Sequence, residues 1–185
     1  MAASRSTPGY KQPRTQLIQH RLQYYRTVQA LFFAACVGLL AYAYYAQYYL
    51  HLEPCPLCIL QRAVVLLLAL NALTALIHAP KTRVRQIYAI NGAGLAGLGC
   101  LVAGRHVYLQ SLPPDKVPEC GPGLQYLLDT LPLNQAIMKI FTGSGECASV
   151  DWIFIGLSMP EWVLIAMVLF CLVSVSSIWM KTIDV

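Results

Sequence analysis

Four long apolar runs dominate the chain, separated by stretches rich in polar and turn-forming residues. They extend from about Val28 to Leu50, Cys58 to His78, Ile87 to Leu109 and Glu161 to Met180. At about 20 residues, each is long enough to cross the hydrocarbon of a bilayer as a helix. Tyr24 and Tyr25 precede the first run, and Tyr44, Tyr45, Tyr48 and Tyr49 close it, matching the aromatic belts of a membrane-spanning helix. The first run is too long for the apolar core of a secretory signal, which needs only about 7–15 residues. The connection to the second run, roughly 51–57, is so short that spans one and two must be antiparallel neighbours. Ala79-Pro80 stops span two, because proline cannot continue a helix. Gly92, Gly94, Gly97 and Gly99 give span three small-residue faces suited to close helix contact.

The non-spanning region 110–160 is the longest interruption. Pro113, Pro114, Pro118 and Cys120-Gly121-Pro122 predict an extended, turn-rich start. Leu124, Leu127, Leu128 and Leu131, then Leu133, Ala136, Ile137, Ile140 and Phe141, recur at helical spacing. They predict short amphipathic helices, lying on the membrane surface or packed against the bundle. The chain is therefore read as an all-α membrane protein, a four-transmembrane-helix bundle with a long external loop. A polar tail (1–27) precedes the transmembrane domain (28–180), and a short tail (181–185) follows it.

Composition supports the same class. The chain is 57% hydrophobic and 11% charged, with a mean hydropathy of +0.55. Soluble domains carry about 25% charged residues, so this chain cannot cover itself with polar surface in water. Its 185 residues allow one compact bundle and no second large domain. The distribution of charge matters more than the net +5. Arg5, Lys11, Arg14, Arg21 and Arg26 lie in the N-terminal tail, Lys81, Arg83 and Arg85 in the connector after span two, and Lys181 in the C-terminal tail. The other side holds Lys116 and Lys139. The positive-inside rule then puts both termini in the cytoplasm, and no nucleic-acid partner is expected.

Seven cysteines divide by place. Cys36, Cys100 and Cys171 fall inside apolar runs and read as small packing residues. Cys55, Cys58, Cys120 and Cys147 lie at or beyond span ends, on the outer, oxidising side where disulfides persist. Cys55 and Cys58 form a Cys-x-x-Cys pair within EPCPLCILQR, at the start of span two. The positive end of the helix dipole and nearby Arg62 both favour an anionic, nucleophilic sulfur there. Such a thiol can reduce an acceptor dissolved in lipid. Arg62 and the Arg105-His106 pair are ionisable groups at span ends, which are costly and tend to be functional. If spans two and three are adjacent they can converge, arginine stabilising negative charge and histidine supplying a proton. The alternatives are interfacial snorkelling for these cations and, for the cysteines, a static disulfide or a zinc site. A second Cys-x-x-Cys, usual in structural zinc sites, is missing, so no metal is expected. Cys120 and Cys147, on the external loop, can exchange disulfides with a soluble thiol protein or staple the loop.

These residues resemble the DsbB family, bacterial inner-membrane proteins that reoxidise the periplasmic dithiol oxidase DsbA with respiratory quinone. The resemblance covers about Val28 to Trp179. It is carried by PCPLCILQR, APKT, HVYLQ and SGECASVDWIFIGLSMPEW. It implies that Cys55 and Cys58 are the quinone-proximal pair, with Cys58 contacting the quinone (ubiquinone or menaquinone). It implies further that Arg62 and His106 serve the quinone site and that Cys120 and Cys147 are the loop pair. Cys120 would be attacked by the partner, a periplasmic thioredoxin-fold dithiol oxidase. Gln61 and Arg105 stand where acidic residues are found in the best-known member. A relative of vitamin K epoxide reductase would share the chemistry but lack the SGEC loop.

Overall fold

The computed structural model describes residues 12–78, 82–118, 126 and 129–182. Helix α1 spans Gln12–Tyr49, α2 Pro56–His78 and α3 Thr82–Gln110. After a 3-10 turn at Pro114–Lys116 comes α4, Leu133–Thr142, then a second 3-10 turn at Gly145–Cys147. A two-stranded antiparallel hairpin, β1 Ile153–Phe154 and β2 Leu157–Ser158, leads into α5, Met159–Thr182. Among the described residues, α1, α2, α3 and α5 are each long and apolar enough to cross a membrane. This is a multi-pass membrane protein. Its outward side chains, among them Leu31, Leu66, Leu70, Ile77, Ile90, Leu101 and Leu172, are exposed and apolar. A helix in hydrocarbon satisfies its own backbone, so such a surface suits lipid.

The bundle is a closed set of neighbours. α1 packs on α2, α2 on α3 and α3 most extensively on α5. Phe32 of α1 and Phe170 of α5 bring the first and last spans together, their ring centroids 4.2 Å apart. Around them Cys36, Val64, Val65, Leu68, Ala72, Ala96 and Met167 form the inner core. Cys36 is fully buried there, and Cys100 and Cys171 pack against the same core. The small-residue face of α3 is narrower than the glycine count suggests. A Cβ on Gly99 would lie 2.5 Å from the Met167 sulfur, and one on Gly92 3.1 Å from Ser174 Oγ. Gly94 and Gly97 have open space around them. Positions 92 and 99 are two turns apart, so one stripe faces α5.

Helix ends depart from the apolar runs in ways that capping explains. α1 extends back to Gln12 because Leu, Gln and Arg propagate a helix beyond the hydrocarbon, while Pro13 is tolerated in its first turn. α2 begins at Pro56, a favoured first helical position. α5 begins at Met159, where the Ser158 backbone N–H donates to Glu161 Oε2 at 2.6 Å. That is half of a capping box written as Ser-Met-Pro-Glu. The hairpin before it was not expected from the sequence. Its turn places Ile155 at φ 52° and Gly156 at φ 79°, a conformation that glycine allows and isoleucine rarely adopts. The Trp162 indole N–H donates to Phe154 O at 3.1 Å and ties the hairpin to α5.

Of the predicted amphipathic helices, α4 is present. It buries Ala136 and Ile140 toward the bundle and leaves Leu133 and Met138 exposed. The segment around Leu124 to Leu128 lies mostly outside the described residues, as does Cys120.

Candidate functional site

The site forms where the short α1–α2 connection meets the C-terminal end of α3. Cys55 is the N-cap of α2: its carbonyl accepts the first intrahelical bond from Ile59 N–H at 3.2 Å. Its sulfur accepts the backbone N–H of Cys58 at 3.4 Å. Serine or aspartate oxygens usually satisfy that third-position donor; here a thiol does so. The cap holds the two sulfurs 3.2 Å apart, with Cys55 donating to Cys58. His106, from the last turns of α3, places Nε2 3.7 Å from the Cys55 sulfur. Gln61, one turn after Cys58, sets its Nε2 3.2 Å from His106 Nδ1. Gln61 and His106 are both buried, so each completes the other's hydrogen bonding, as buried polar groups require.

Cys147 arrives from the segment between α3 and α5. α4 ends at Gly143, whose N–H donates to Ile140 O at 3.1 Å. Arg105 caps the same end, donating from Nη2 to Thr142 O at 2.8 Å and from Nε to Phe141 O at 3.4 Å. Cationic donors at a helix C-terminus satisfy its orphan carbonyls. The next turn brings Cys147 into a buried cluster with Cys55, Leu57, Val102 and Leu109. Gln110 fastens the far side, donating to Ser149 O at 3.2 Å and accepting from Ser158 Oγ at 2.8 Å.

Cys55 therefore lies between two sulfurs, bonded to Cys58 and packed in the same buried cluster as Cys147. The neighbouring Cys147 and Cys58 sulfurs, then burial, push the Cys55 thiol well above its ordinary range. Cys55 beside it, offsetting burial and helped by the backbone at Ser144, lowers Cys147 to about 6. Of these two, Cys147 is the one favoured as thiolate and Cys55 keeps its proton. In the fully reduced protein kept in chelator, the Cys147 thiolate should disappear as pH falls through about 6. Ultraviolet thiolate absorbance should show this step, and Cys147→Ser should remove it. Absence of a Cys147-dependent step near 6 would refute the assignment.

On the other side of Cys58 lies a cavity of about 350 Å³. Leu39, Leu40, Tyr42 and Ala43 of α1 form one wall, and Met159, Pro160, Trp162 and Val163 of α5 face them. Cys58, Gln61, Arg62 and Val65 supply the α2 wall, and Trp152 and Phe154 of the hairpin segment close the outer end. Tyr42 and Trp152 meet across it with centroids 5.6 Å apart. Arg62 is fixed against α1 by donating to Gln47 Oε1 and to Ala43 O, the latter at 3.1 Å. Its guanidinium also sits 5.2 Å from the Tyr44 ring centroid, a cation–π contact. The cavity is apolar with a thiol, an amide and a cation on one wall. Pockets for organic ligands have this pattern.

The three ionisable groups at the span ends have different partners. Arg62 lines the cavity, His106 contacts Cys55 and Gln61, and Arg105 caps α4. Gln61 joins the two sides: it lines the cavity and also holds His106. Its position one turn after Cys58 was the available signal for that role. Trp152, Phe154 and Trp162 were legible only as part of a motif, since their shared wall requires the hairpin.

The family model described as "Disulfide bond formation protein DsbB" matches residues 25–177. This chain belongs to the DsbB family. Relatives named "Disulfide bond formation protein B" agree with it along most of their length. That of Methylococcus capsulatus is 51% identical over 140 residues, covering 76% of this chain and 85% of the relative. That of Nitrosococcus oceani is 47% identical over 154 residues, covering 83% and 89% respectively. That of Psychrobacter cryohalolentis is 44% identical over 162 residues, covering 86% and 92%. As a DsbB-family member the protein has a role in disulfide bond formation and is a disulfide oxidoreductase.

Proposed function

We propose that this DsbB-family protein is a membrane thiol:quinone oxidoreductase that reoxidises a periplasmic DsbA-like dithiol oxidase. Electrons enter at Cys120–Cys147, pass to Cys55–Cys58 and leave to respiratory quinone, ubiquinone or menaquinone. The observation that carries this reading is the line of sulfurs: Cys147 packed in one buried cluster with Cys55, Cys55 hydrogen-bonded to Cys58, and Cys58 on the wall of an apolar cavity. With the basic tail, connector and C-terminus in the cytoplasm, this site faces the periplasm of the bacterial inner membrane.

The thiol steps follow from the order of the sulfurs. The reduced partner attacks Cys120 of the loop disulfide and releases Cys147 as a thiolate. The partner's second thiol then attacks the mixed disulfide, leaving the partner oxidised and Cys120 reduced. Cys147 thiolate attacks Cys55 of the Cys55–Cys58 disulfide, forming Cys147–Cys55 and expelling Cys58 as a thiolate. Cys120 displaces Cys55 from Cys147, which restores the loop disulfide and returns a thiol at Cys55. A quinone in the cavity would accept two electrons and two protons as the Cys55–Cys58 disulfide re-forms. Arg62 would donate hydrogen bonds to its carbonyl end, while the aromatic and aliphatic walls exclude water. His106 orients the Cys55 sulfur and, through Gln61, is tied to the cavity wall.

The deciding experiment mixes purified protein with a reduced DsbA-like partner and follows loss of quinone absorbance, with Cys55→Ser run beside it. Turnover absent from Cys55→Ser is the expected result. No turnover, with a competent partner and analogues of both quinones supplied, would reject the proposal. Arg62→Ala should raise the KM for quinone about ten- to a hundredfold, the worth of a hydrogen bond from a charged donor, about 1.5–3 kcal/mol. Exchange between the two cysteine pairs should remain near the wild-type rate. An unchanged KM would remove Arg62 from the acceptor site.

A further inference from the structure

We propose that the fully reduced protein binds one soft divalent cation, Zn²⁺, through Cys55, Cys58 and His106, with Cys147 supplying the fourth ligand. The ligand atoms of the first three all lie within 4.8 Å of one another. Cys55 and Cys58 sulfurs are 3.2 Å apart, and His106 Nε2 is 3.7 Å from the Cys55 sulfur. In a tetrahedral zinc site, metal–sulfur bonds of about 2.3 Å and metal–nitrogen bonds of about 2.0–2.1 Å put neighbouring ligand atoms roughly 3.5–3.8 Å apart. The side chains therefore need to shift by only about 1 Å to enclose an ion. Cys147 is packed in the same buried cluster as Cys55, and its approach to the ion would complete a Cys₃His set, one of the established structural zinc combinations.

Two further features favour a metal over a chance gathering of thiols. The first is an outer ligand shell: Gln61 is hydrogen-bonded to His106 Nδ1, the ring nitrogen a metal on Nε2 would leave free. With the ion bound, Nδ1 carries the proton and the Gln61 amide turns to accept it through Oε1, fixing tautomer and ring together. The second is burial. Cys55, Cys147, His106 and Gln61 are all buried, so a dry, soft donor set waits at the end of the bundle. The sequence alone suggested a different set, the four outer cysteines, and gave no reason for a metal. Folding brings in His106 from α3, where the sequence offered Cys120.

Binding is gated by oxidation state. Each thiol ligand gives up a proton to bind, and no electrons move. In the oxidised protein the Cys55 and Cys58 sulfurs are joined to each other, and the site does not exist. Zn²⁺ therefore captures the reduced form and withholds the two sulfurs from disulfide exchange until it is chelated. An excess of soft metal would thus stop disulfide formation at this protein without damaging it. This inference rests on the reduced geometry and stands apart from the choice of quinone or partner.

The test titrates Co²⁺ into the full chain in detergent micelles, reduced and freed of reductant, followed by displacement with Zn²⁺. One Co²⁺ per chain is expected, with thiolate-to-cobalt charge-transfer bands and the visible bands of tetrahedral coordination. Oxidised protein should give neither. Cys120→Ser should keep the spectrum. Cys58→Ser and His106→Ala should each weaken binding by at least about tenfold, since even outer partners of a metal contribute 10–100-fold. Cys147→Ser should reduce the charge-transfer intensity. His106→Cys should regain binding with added charge-transfer intensity, which a misfolded variant could not do. Loss of the spectrum in Cys120→Ser, insensitivity to His106→Ala, or equal binding by oxidised protein would each overturn the proposal.

Discussion

Cys58→Ser is expected to lower quinone reduction by at least about a thousandfold, the scale on which loss of a covalent participant acts. It should also trap a Cys55–Cys147 disulfide. Both effects come from the position of Cys55 between two sulfurs, 3.2 Å from Cys58 and packed in the same buried cluster as Cys147. Without Cys58, Cys55 loses the neighbour with which it forms the cavity-side disulfide, yet it remains in contact with Cys147. Attack of Cys55 on the Cys147 sulfur of the loop disulfide releases Cys120 as a thiolate and leaves a crosslink between the start of α2 and the turn that carries Cys147. Mass spectrometry of non-reduced peptides reads the crosslink directly. Cys120→Ser should behave differently, losing oxidation of the partner while dithiothreitol still drives quinone reduction through Cys55–Cys58. Substantial quinone reduction by Cys58→Ser would mean that electrons leave from another sulfur.

The second large effect is expected at a residue with no chemistry of its own. Gly143 joins α4 to the turn that carries Cys147, at φ 84° and ψ 159°. That region of backbone space belongs to glycine, and other residues held there cost about 1–3 kcal/mol. A Cβ at this position would also run into the Leu109 side chain, whose residue is fully buried. Overpacking adds about 1–3 kcal/mol. Gly143→Ala should therefore displace the Gly145–Cys147 turn and slow the transfer from Cys147 to Cys55 by at least about tenfold, as one strained contact of 1.4 kcal/mol suffices for that factor. Quinone reduction driven by dithiothreitol should change much less, because Cys55, Cys58 and the cavity are held by other elements. Adding Leu109→Ala should relieve the clash and leave the backbone strain, giving partial recovery. Equal loss in both assays would show that Gly143→Ala disturbs the whole bundle.

These two cases show why the loop beyond α3 matters as much as the spans. The spans supply a rigid end on which Cys55, Cys58, His106 and Gln61 are fixed. The segment between α3 and α5 supplies Cys147 and, through Trp152 and Phe154, the closed end of the cavity. It is joined to the bundle by a small number of polar contacts, chiefly Arg105 to α4 and Gln110 to Ser149 and Ser158. Arg105 thus acts as a clamp on α4.

The sequence by itself determined the fold class, since runs of about 20 apolar residues have few alternatives to membrane helices. It also determined the antiparallel pairing of the first two spans and the place of Cys36, Cys100 and Cys171 in the core. Cys-Pro-Leu-Cys at a helix start already specified a local thiol pair, because cap and first turn are neighbours in any helix. Tertiary structure decided the rest. Whether His106 turns to the sulfurs or to the cavity depends on the rotation of α3 against α2, which packing around Val64, Gly99 and Met167 sets. The separate directions of Arg62, Arg105 and His106 follow from three different neighbours, none adjacent in sequence. The hairpin at Ile153–Ser158 escaped the hydrophobic pattern because its strands are two residues long and its turn puts an isoleucine at positive φ. Periodicity reports one element's own faces; only packing between elements decides which atoms meet across them.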